Sequence, residues 1–88
     1  MTVTCIGRPN ARSAIYAADG QDFFVRVEHA LEGEVWNLVT CQRVVTFAIP
    51  LNQNHVRIGK PEKFYSSSFD RVAAHVFGDV DQLVTHKV

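Results

Sequence analysis

Apolar and polar positions alternate along most of the first fifty residues, and this pattern predicts β-strands. The clearest segment is 23–29, where Phe23, Val25 and Val27 form an apolar row and the positions between them are of mixed character. Such alternation is typical of an antiparallel strand with one buried face. On the same grounds, further strands are predicted at 2–6, 13–18, 35–41 and 44–49, with a weaker candidate at 56–58.

Turn signals separate the predicted strands. Asp19-Gly20 lies between two apolar runs and predicts a tight type I′ hairpin, because both residues tolerate a positive φ. Polar, proline or glycine clusters predict the remaining breaks at 7–10, 32–34 and 42–43, and Pro50 is expected to end the strand 44–49. Strands that follow one another through short turns predict an antiparallel meander.

The C-terminal part of the chain has the period of an amphipathic helix. Ser67-x-x-Asp70 resembles a capping box, which predicts a helix start. Apolar residues then recur in steps of three and four, at Phe69, Val72, Ala73, Val76, Phe77, Val80, Leu83 and Val84. Because this stripe stays in phase across Gly78, one helix that continues through it is favoured. The alternative is a helix that stops at Gly78 and restarts at Asp79. The whole pattern predicts an α+β fold, a four- or five-stranded antiparallel meander sheet with one C-terminal amphipathic helix packed on one face.

Composition and charge narrow the classes of function. The 88 residues are expected to form one domain, residues 1–88, and 47% hydrophobic against 20% charged residues is a globular balance. Nine Lys and Arg offset nine Asp and Glu, so the charge of a dedicated nucleic-acid binder is lacking. Without a signal segment or an apolar run of about 20 residues, a cytoplasmic protein with no membrane partner is expected. Cys5 and Cys41 are expected to be reduced and buried.

Histidine supplies the remaining candidate chemistry, but its spacing defines no site. On one helix, His75 and His86 would be about 16 Å apart, too far to share a metal ion. We therefore predict no metal site, no cofactor and no catalytic residue. Should the protein nevertheless be an enzyme, His29 and His55 are the first residues to test.

The sheet face turned away from the helix is the candidate interaction surface. Aromatic and arginine side chains are the usual anchors of protein interfaces. The contact candidates of this kind are Phe24, Arg26, Trp36, Phe64 and Tyr65. Whether the irregular segment 51–66 leaves this face open or folds over it stays undecided by the sequence. Because a short meander also leaves sheet edges unpaired, we expect a homodimer that binds an unidentified protein as an adaptor, inhibitor or regulator.

Nucleic-acid binding is the alternative function, through the basic and aromatic segment 55–65. Arg57, Lys60 and Lys63 could neutralise phosphates while Tyr65 stacks on an unpaired base, as in single-strand binders. The balanced net charge makes this the second of the two hypotheses.

Overall fold

The fold consists of six strands and one helix in a computed structural model that describes residues 2–36, 39–66, 68–78 and 85–86. The elements are β1 (Val3–Asn10), β2 (Ser13–Ala18), β3 (Phe24–Trp36), β4 (Val39–Leu51), β5 (Glu62–Phe64), α1 (Phe69–Val76) and β6 (Thr85–His86). Side chains are described for these residues except within 32–43 and 85–86.

The strands form a single sheet in the order β5-β4-β3-β2-β1-β6. From β1 to β5 each strand pairs antiparallel with the next one in the chain, and α1 packs on one face. This confirms the predicted α+β fold with a five-stranded antiparallel meander and one helix. The sequence pattern did not indicate β6, a two-residue strand that pairs parallel with Thr4 and Cys5 of β1.

The first hairpin turns later than predicted. The predicted turn at 7–10 lies inside β1, and the chain reverses at residues 11–12. The pairing of β1 with β2 is interrupted by register shifts on either side of Gly7. Such bulges accommodate a proline, which has no N–H for the ladder, and this explains why Pro9 does not end the strand.

The predicted turn at 32–34 and the predicted break at 42–43 are also wrong, because both lie inside continuous strands. The strands β3 and β4 are 13 residues each and pair without interruption from Phe24↔Leu51 to Trp36↔Val39. The two polar clusters face each other in this ladder, with Glu32 opposite Arg43. The ladder provides backbone partners for Glu32 and Arg43, so the pairing of the two strands outweighs the local turn signal.

The predicted turn at Asp19-Gly20 and the predicted strand 56–58 both differ in type from what the structure shows. At the second hairpin the N–H of Gln21 donates to the carbonyl of Ala18 over 3.1 Å, and only Gly20 has a positive φ, of 77°. A positive φ at the third turn residue alone is the arrangement of a type II turn, not of the predicted type I′. The strand candidate 56–58 is reduced to one isolated bridge between Arg57 and Leu51.

The helix begins one residue later than predicted and ends earlier. Ser68, not Ser67, is the N-cap, and its hydroxyl accepts a hydrogen bond from a backbone N–H in the first turn. The helix ends at Val76, and Gly78 has a φ of 79°, the left-handed conformation that follows many helix ends. The prediction of one helix through Gly78 is therefore wrong; its continuation over 79–84 lies outside the described residues.

The core lies between α1 and the sheet face formed by β1 to β4. Fully or almost fully buried apolar residues line it, namely Val3, Cys5, Ala14, Tyr16, Ala18, Val25, Val27, Ala48, Val72, Ala73 and Phe77. The Tyr16 hydroxyl donates a 2.6 Å hydrogen bond to Asp70 in the first turn of α1. This bond ties the helix to the middle of the sheet. No helix among the described residues has the length and apolar character to cross a membrane.

Candidate functional site

Phe24 and Arg26 share the sheet face opposite α1, as the alternation predicts. Phe24 pairs with Leu51, and the His55 ring meets the Phe24 ring edge-on at a centroid distance of 5.2 Å. Arg26 forms an ion pair with Glu28 on the same face, and its Nε is buried without a hydrogen-bond partner among the described atoms. This end of the face is therefore partly covered by the loop after β4, and its charges are paired within the strand.

Phe64 and Tyr65 are not on that surface together. Phe64 pairs with Thr46 on the helix side of the sheet and contacts His75 of α1 edge-on at 5.5 Å. Tyr65 is 66% exposed after the end of β5, with the Lys63 Nζ 5.6 Å from its ring centroid. Segment 51–66 therefore supplies an edge strand and a loop at one end of the sheet. The structure separates Phe64 from Phe24 and Arg26 by the thickness of the sheet.

Trp36, the fifth predicted contact residue, is placed by its backbone alone. It pairs with Val39 at the far end of the β3–β4 hairpin, 12 residues along β3 from Phe24. Its side chain lies outside those described. The five predicted contact residues are thus distributed over both sheet faces and both ends of the molecule.

The residues of the nucleic-acid hypothesis are all near one end of the sheet. Arg57 and Lys60 are exposed in the loop between β4 and β5, and Lys63 lies in β5. Within this set, the Lys63 ammonium group contacts the Tyr65 ring. A cation over an aromatic ring stabilises both groups, and it also occupies one face that a base would use.

The sequence did not indicate the surroundings of His29. Its ring stacks on Phe69, the first residue of α1, at a centroid distance of 3.8 Å, and its Nδ1 is 2.9 Å from the Thr46 Oγ1. Because the Thr46 hydroxyl gives its only proton to the Ser66 carbonyl, over 2.6 Å, His29 Nδ1–H must be the donor to Thr46. Burial lowers the pKa of His29, since it removes water from the charged imidazolium. His29 therefore anchors the start of α1 in its neutral form.

Two further chemically active side chains, those of Cys5 and Tyr16, lie in the core, whereas the side chain of Cys41 lies outside those described. Cys5 is fully buried, and its thiol lies 3.6 Å from the Gly7 carbonyl. The pKa of Tyr16 is raised far above its usual value, first by burial and then by its hydrogen bond to Asp70. The described part of the chain contains no group of three His, Cys, Asp or Glu that could hold a metal ion. Both buried groups are suited to packing, not to nucleophilic chemistry.

The most distinctive feature is the distal part of the β3–β4 hairpin, residues 30–36 and 39–45, which we call the arm. β2 pairs with β3 only as far as Glu28, and β5 pairs with β4 only at 46–48. Among the described residues, no strand borders the arm on either side. Leu31 and Val44 pair directly across it and are 59% and 37% exposed, although they lie in the same row as buried Val27.

The direction of the backbone groups at the two edges of the arm follows from their alternation along a strand. The N–H of His29 donates to the Arg12 carbonyl over 2.8 Å, on the β2 side. By alternation, the outward positions on the β3 edge of the arm are Leu31, Gly33 and Val35.

On the other strand, the Pro50 carbonyl accepts from the N–H of Ile58 over 2.9 Å, on the side away from β3. The outward positions on the β4 edge of the arm are therefore Val44, Gln42 and Thr40. This alternation also explains why Pro50 does not end β4: at its position no N–H is needed for the pairing with β3.

Two hollows lie beside the start of β2, where β3 continues into the arm. The larger, of about 470 Å³, is bordered by residues 10–13, Glu28 and His29. The smaller, of about 200 Å³, is bordered by Leu31 and Val44 together with neighbouring residues of the same corner. Both hollows adjoin the unpaired β3 edge, so a strand that extended the sheet there would cover them.

No protein-family model, curated protein or solved structure matches the chain.

Proposed function

We propose that this chain is a protein-binding module that acts as a homodimer and serves as an adaptor, inhibitor or regulator of a further protein. The observation that carries the proposal is the arm, whose two strands extend beyond their neighbours on both sides among the described residues. Unpaired N–H and C=O groups along a strand edge favour pairing with another strand.

Apolar exposure supports the same conclusion. Leu31 and Val44 form an exposed apolar pair on the arm, just beyond the point where Phe69 covers His29. Their row continues from the helix-covered core, and α1 does not reach this part of the row. Burying these side chains against a partner contributes roughly 25 cal/mol per Å² of apolar surface.

The proposal is tested by the solution mass from light scattering over a dilution series, together with the fluorescence of Trp36, the only tryptophan. We expect twice the 9.9 kDa chain mass at high concentration, and dissociation with a red shift of the Trp36 emission on dilution. A mass of one chain at every concentration would contradict self-association.

A matched pair of variants locates the interface. Val44→Glu introduces a charge on the arm and should weaken the dimer by more than tenfold in dissociation constant. Ile58→Glu introduces the same charge at a residue that is 56% exposed in the loop after β4, and it should leave the dimer unchanged. Equal effects of the two substitutions would place the interface elsewhere.

Nucleic-acid binding stays the second candidate because Lys63 and the exposed Tyr65 lie together. Retention of the protein on single-stranded DNA should then fall steeply with salt, with a slope of about −0.7 per phosphate neutralised. The double variant Arg57→Glu, Lys60→Glu should abolish retention. Absence of any retention of the wild-type protein at low salt would remove this candidate.

A further inference from the structure

The corner where β2 begins beside β3 leaves backbone groups of β3 unpaired. The N–H of His29 donates to the Arg12 carbonyl over 2.8 Å, but the N–H of Arg12 donates to the Asn10 side chain, also over 2.8 Å. In a regular antiparallel ladder, His29 and Arg12 would exchange both bonds. The chain before β2 therefore turns away from β3 at this point. Beyond it, the N–H and the carbonyl of Leu31 point to a side on which no strand lies among the described residues.

A cation without a partner lies at this corner. Arg12 is exposed and borders both hollows, and its guanidinium group has no hydrogen-bond or ion-pair partner among the described residues. The Glu28 carboxylate, which also borders the larger hollow, forms an ion pair with Arg26. A guanidinium group binds a carboxylate through two parallel hydrogen bonds. Arg12 is therefore available to bind a carboxylate from outside the chain.

An apolar hollow lies directly beside this cation. The smaller hollow shares Arg12 and His29 with the larger one, so the two are adjacent. Its apolar walls include Leu31 and Val44, which pair across β3 and β4 and are 59% and 37% exposed. Its volume of about 200 Å³ accommodates an aliphatic side chain. A carboxylate site and an apolar site thus lie next to the backbone groups of Leu31.

We propose that the β3 edge of the arm binds the carboxy-terminal end of another protein as an added antiparallel strand, with an aliphatic last residue opposite Leu31 and its carboxylate at Arg12. This inference rests on the proposed function as a protein-binding module, and it specifies the chemistry of the partner. The last residue exchanges both backbone bonds with Leu31, and its side chain lies on the same face as that of Leu31, at the apolar hollow. The preceding residues continue along the outward positions Gly33 and Val35.

The position of β2 favours a chain end over an internal segment. β2 occupies the β3 edge from His29 inward, so an added strand that runs toward it has to stop or turn away at the corner. A terminal residue stops there, and the charge of its carboxylate is complementary to that of Arg12. A free amino acid has the same carboxylate and side chain, but it lacks the residues that pair with the rest of the edge.

Peptide binding, followed by fluorescence anisotropy, tests the inference. The probes are fluorescein-labelled four-residue peptides that end in leucine, isoleucine or valine. We expect saturable binding with a free carboxylate and a loss of about tenfold or more when the same peptide ends in an amide. N-methylation of the last residue should also weaken binding, because it removes the N–H that pairs with the Leu31 carbonyl. If free leucine competed as strongly as the peptide, the added strand would be overturned.

Two matched pairs of variants locate the site. Arg12→Met should weaken binding by about tenfold or more, whereas Arg57→Met, at another exposed arginine, should leave it unchanged. Leu31→Asn and Ile58→Asn alter residues that are 59% and 56% exposed, and only the first should weaken binding. Equal effects within either pair would overturn the assignment of the site.

The outcomes separate this inference from the homodimer. A protein that dimerises but binds none of the peptides would overturn the inference and leave self-association standing. A monomeric protein that binds them through Arg12 would overturn the homodimer and leave the inference standing. A monomeric protein that binds none of them would overturn both.

Discussion

The strand β3 contains both fully buried and largely exposed apolar residues. In the proximal half of β3, Val25 and Val27 are fully buried, with β2 and β4 on either side and α1 above. Four residues beyond Val27, in the same row, Leu31 is 59% exposed. The difference shows that the alternation of apolar residues determines which row faces inward, whereas the length of the neighbouring elements determines how far that row is covered.

The largest expected difference between the two halves is in amide hydrogen exchange. The N–H of Val27 points to β2, and that of Leu31 points to the unpaired side of the arm. In dilute, monomeric protein, the Val27 amide should exchange at least 10³-fold more slowly than the Leu31 amide, because its opening requires sub-global unfolding. Comparable rates measured by NMR would mean that the arm edge is covered.

The same experiment at high protein concentration sharpens the comparison between the arm edges. The amides that point outward from one edge of the arm should become protected with dimer formation. Protection of Gln42 and Val44 would identify the β4 edge as the interface, and protection of Gly33 and Val35 would identify the β3 edge.

Truncation of an apolar side chain should lower the free energy of unfolding much more in the buried half of β3 than in the arm. Val27→Ala removes two buried methyl groups, and we expect it to lower the free energy of unfolding by about 2 kcal/mol. Leu31→Ala, in the same row of the same strand, should change it by less than about 0.5 kcal/mol. Urea denaturation at a concentration where the protein is monomeric measures both, and a large effect of Leu31→Ala would show that the arm is packed within one chain.

The hydrogen bond between Tyr16 and Asp70 should contribute somewhat less to the free energy of unfolding than the two methyl groups of Val27. Tyr16→Phe removes the hydroxyl that donates to Asp70, and we expect a loss of about 1.5 kcal/mol, since the acceptor is a carboxylate. Asp70→Asn retains an acceptor oxygen and should cost less. If Tyr16→Phe left the free energy of unfolding unchanged, the Tyr16 hydroxyl would not be the group that holds α1.

The smallest expected effect is the contribution of His29, at the boundary between the core and the arm, to the pH dependence of stability. The lowered pKa of His29 means that the unfolded chain binds a proton more readily than the folded protein. Its contribution to stability is therefore full above the ordinary histidine pKa of about 6.5 and is lost as the pH falls below it. Urea midpoints at about pH 8 and about pH 5 should differ less in His29→Asn than in the wild-type protein.

The strand order and the covered face could be predicted from sequence because their signals are local. Alternation in 13–18 and 23–29 marked strands that the structure contains, and the apolar spacing from Phe69 to Phe77 marked the helix that covers them. These patterns indicate which side of each strand and of the helix is buried, and this is enough to predict a two-layer fold.

The lengths of the strands and the arrangement of the site depended on partners far along the chain. Residues 32–34 have the composition of a turn, but they pair as strand opposite Gln42 and its neighbours, since the ladder with β4 satisfies the backbone groups of Glu32 and Glu34. His29 is surrounded by Thr46, Ser66 and Phe69, which come from distant parts of the chain. The spacing of these residues in the sequence does not indicate that they meet.

The sequence by itself thus determined the sheet, the helix and the face between them, because hydrophobic periodicity is a property of neighbouring residues. Only the tertiary structure decided that Phe64 faces the helix, that Tyr65 lies beside Lys63, and that the β3–β4 hairpin extends beyond its neighbours. The physical reason is that an edge is defined by where the adjacent strand ends. That end depends on the register of the whole sheet.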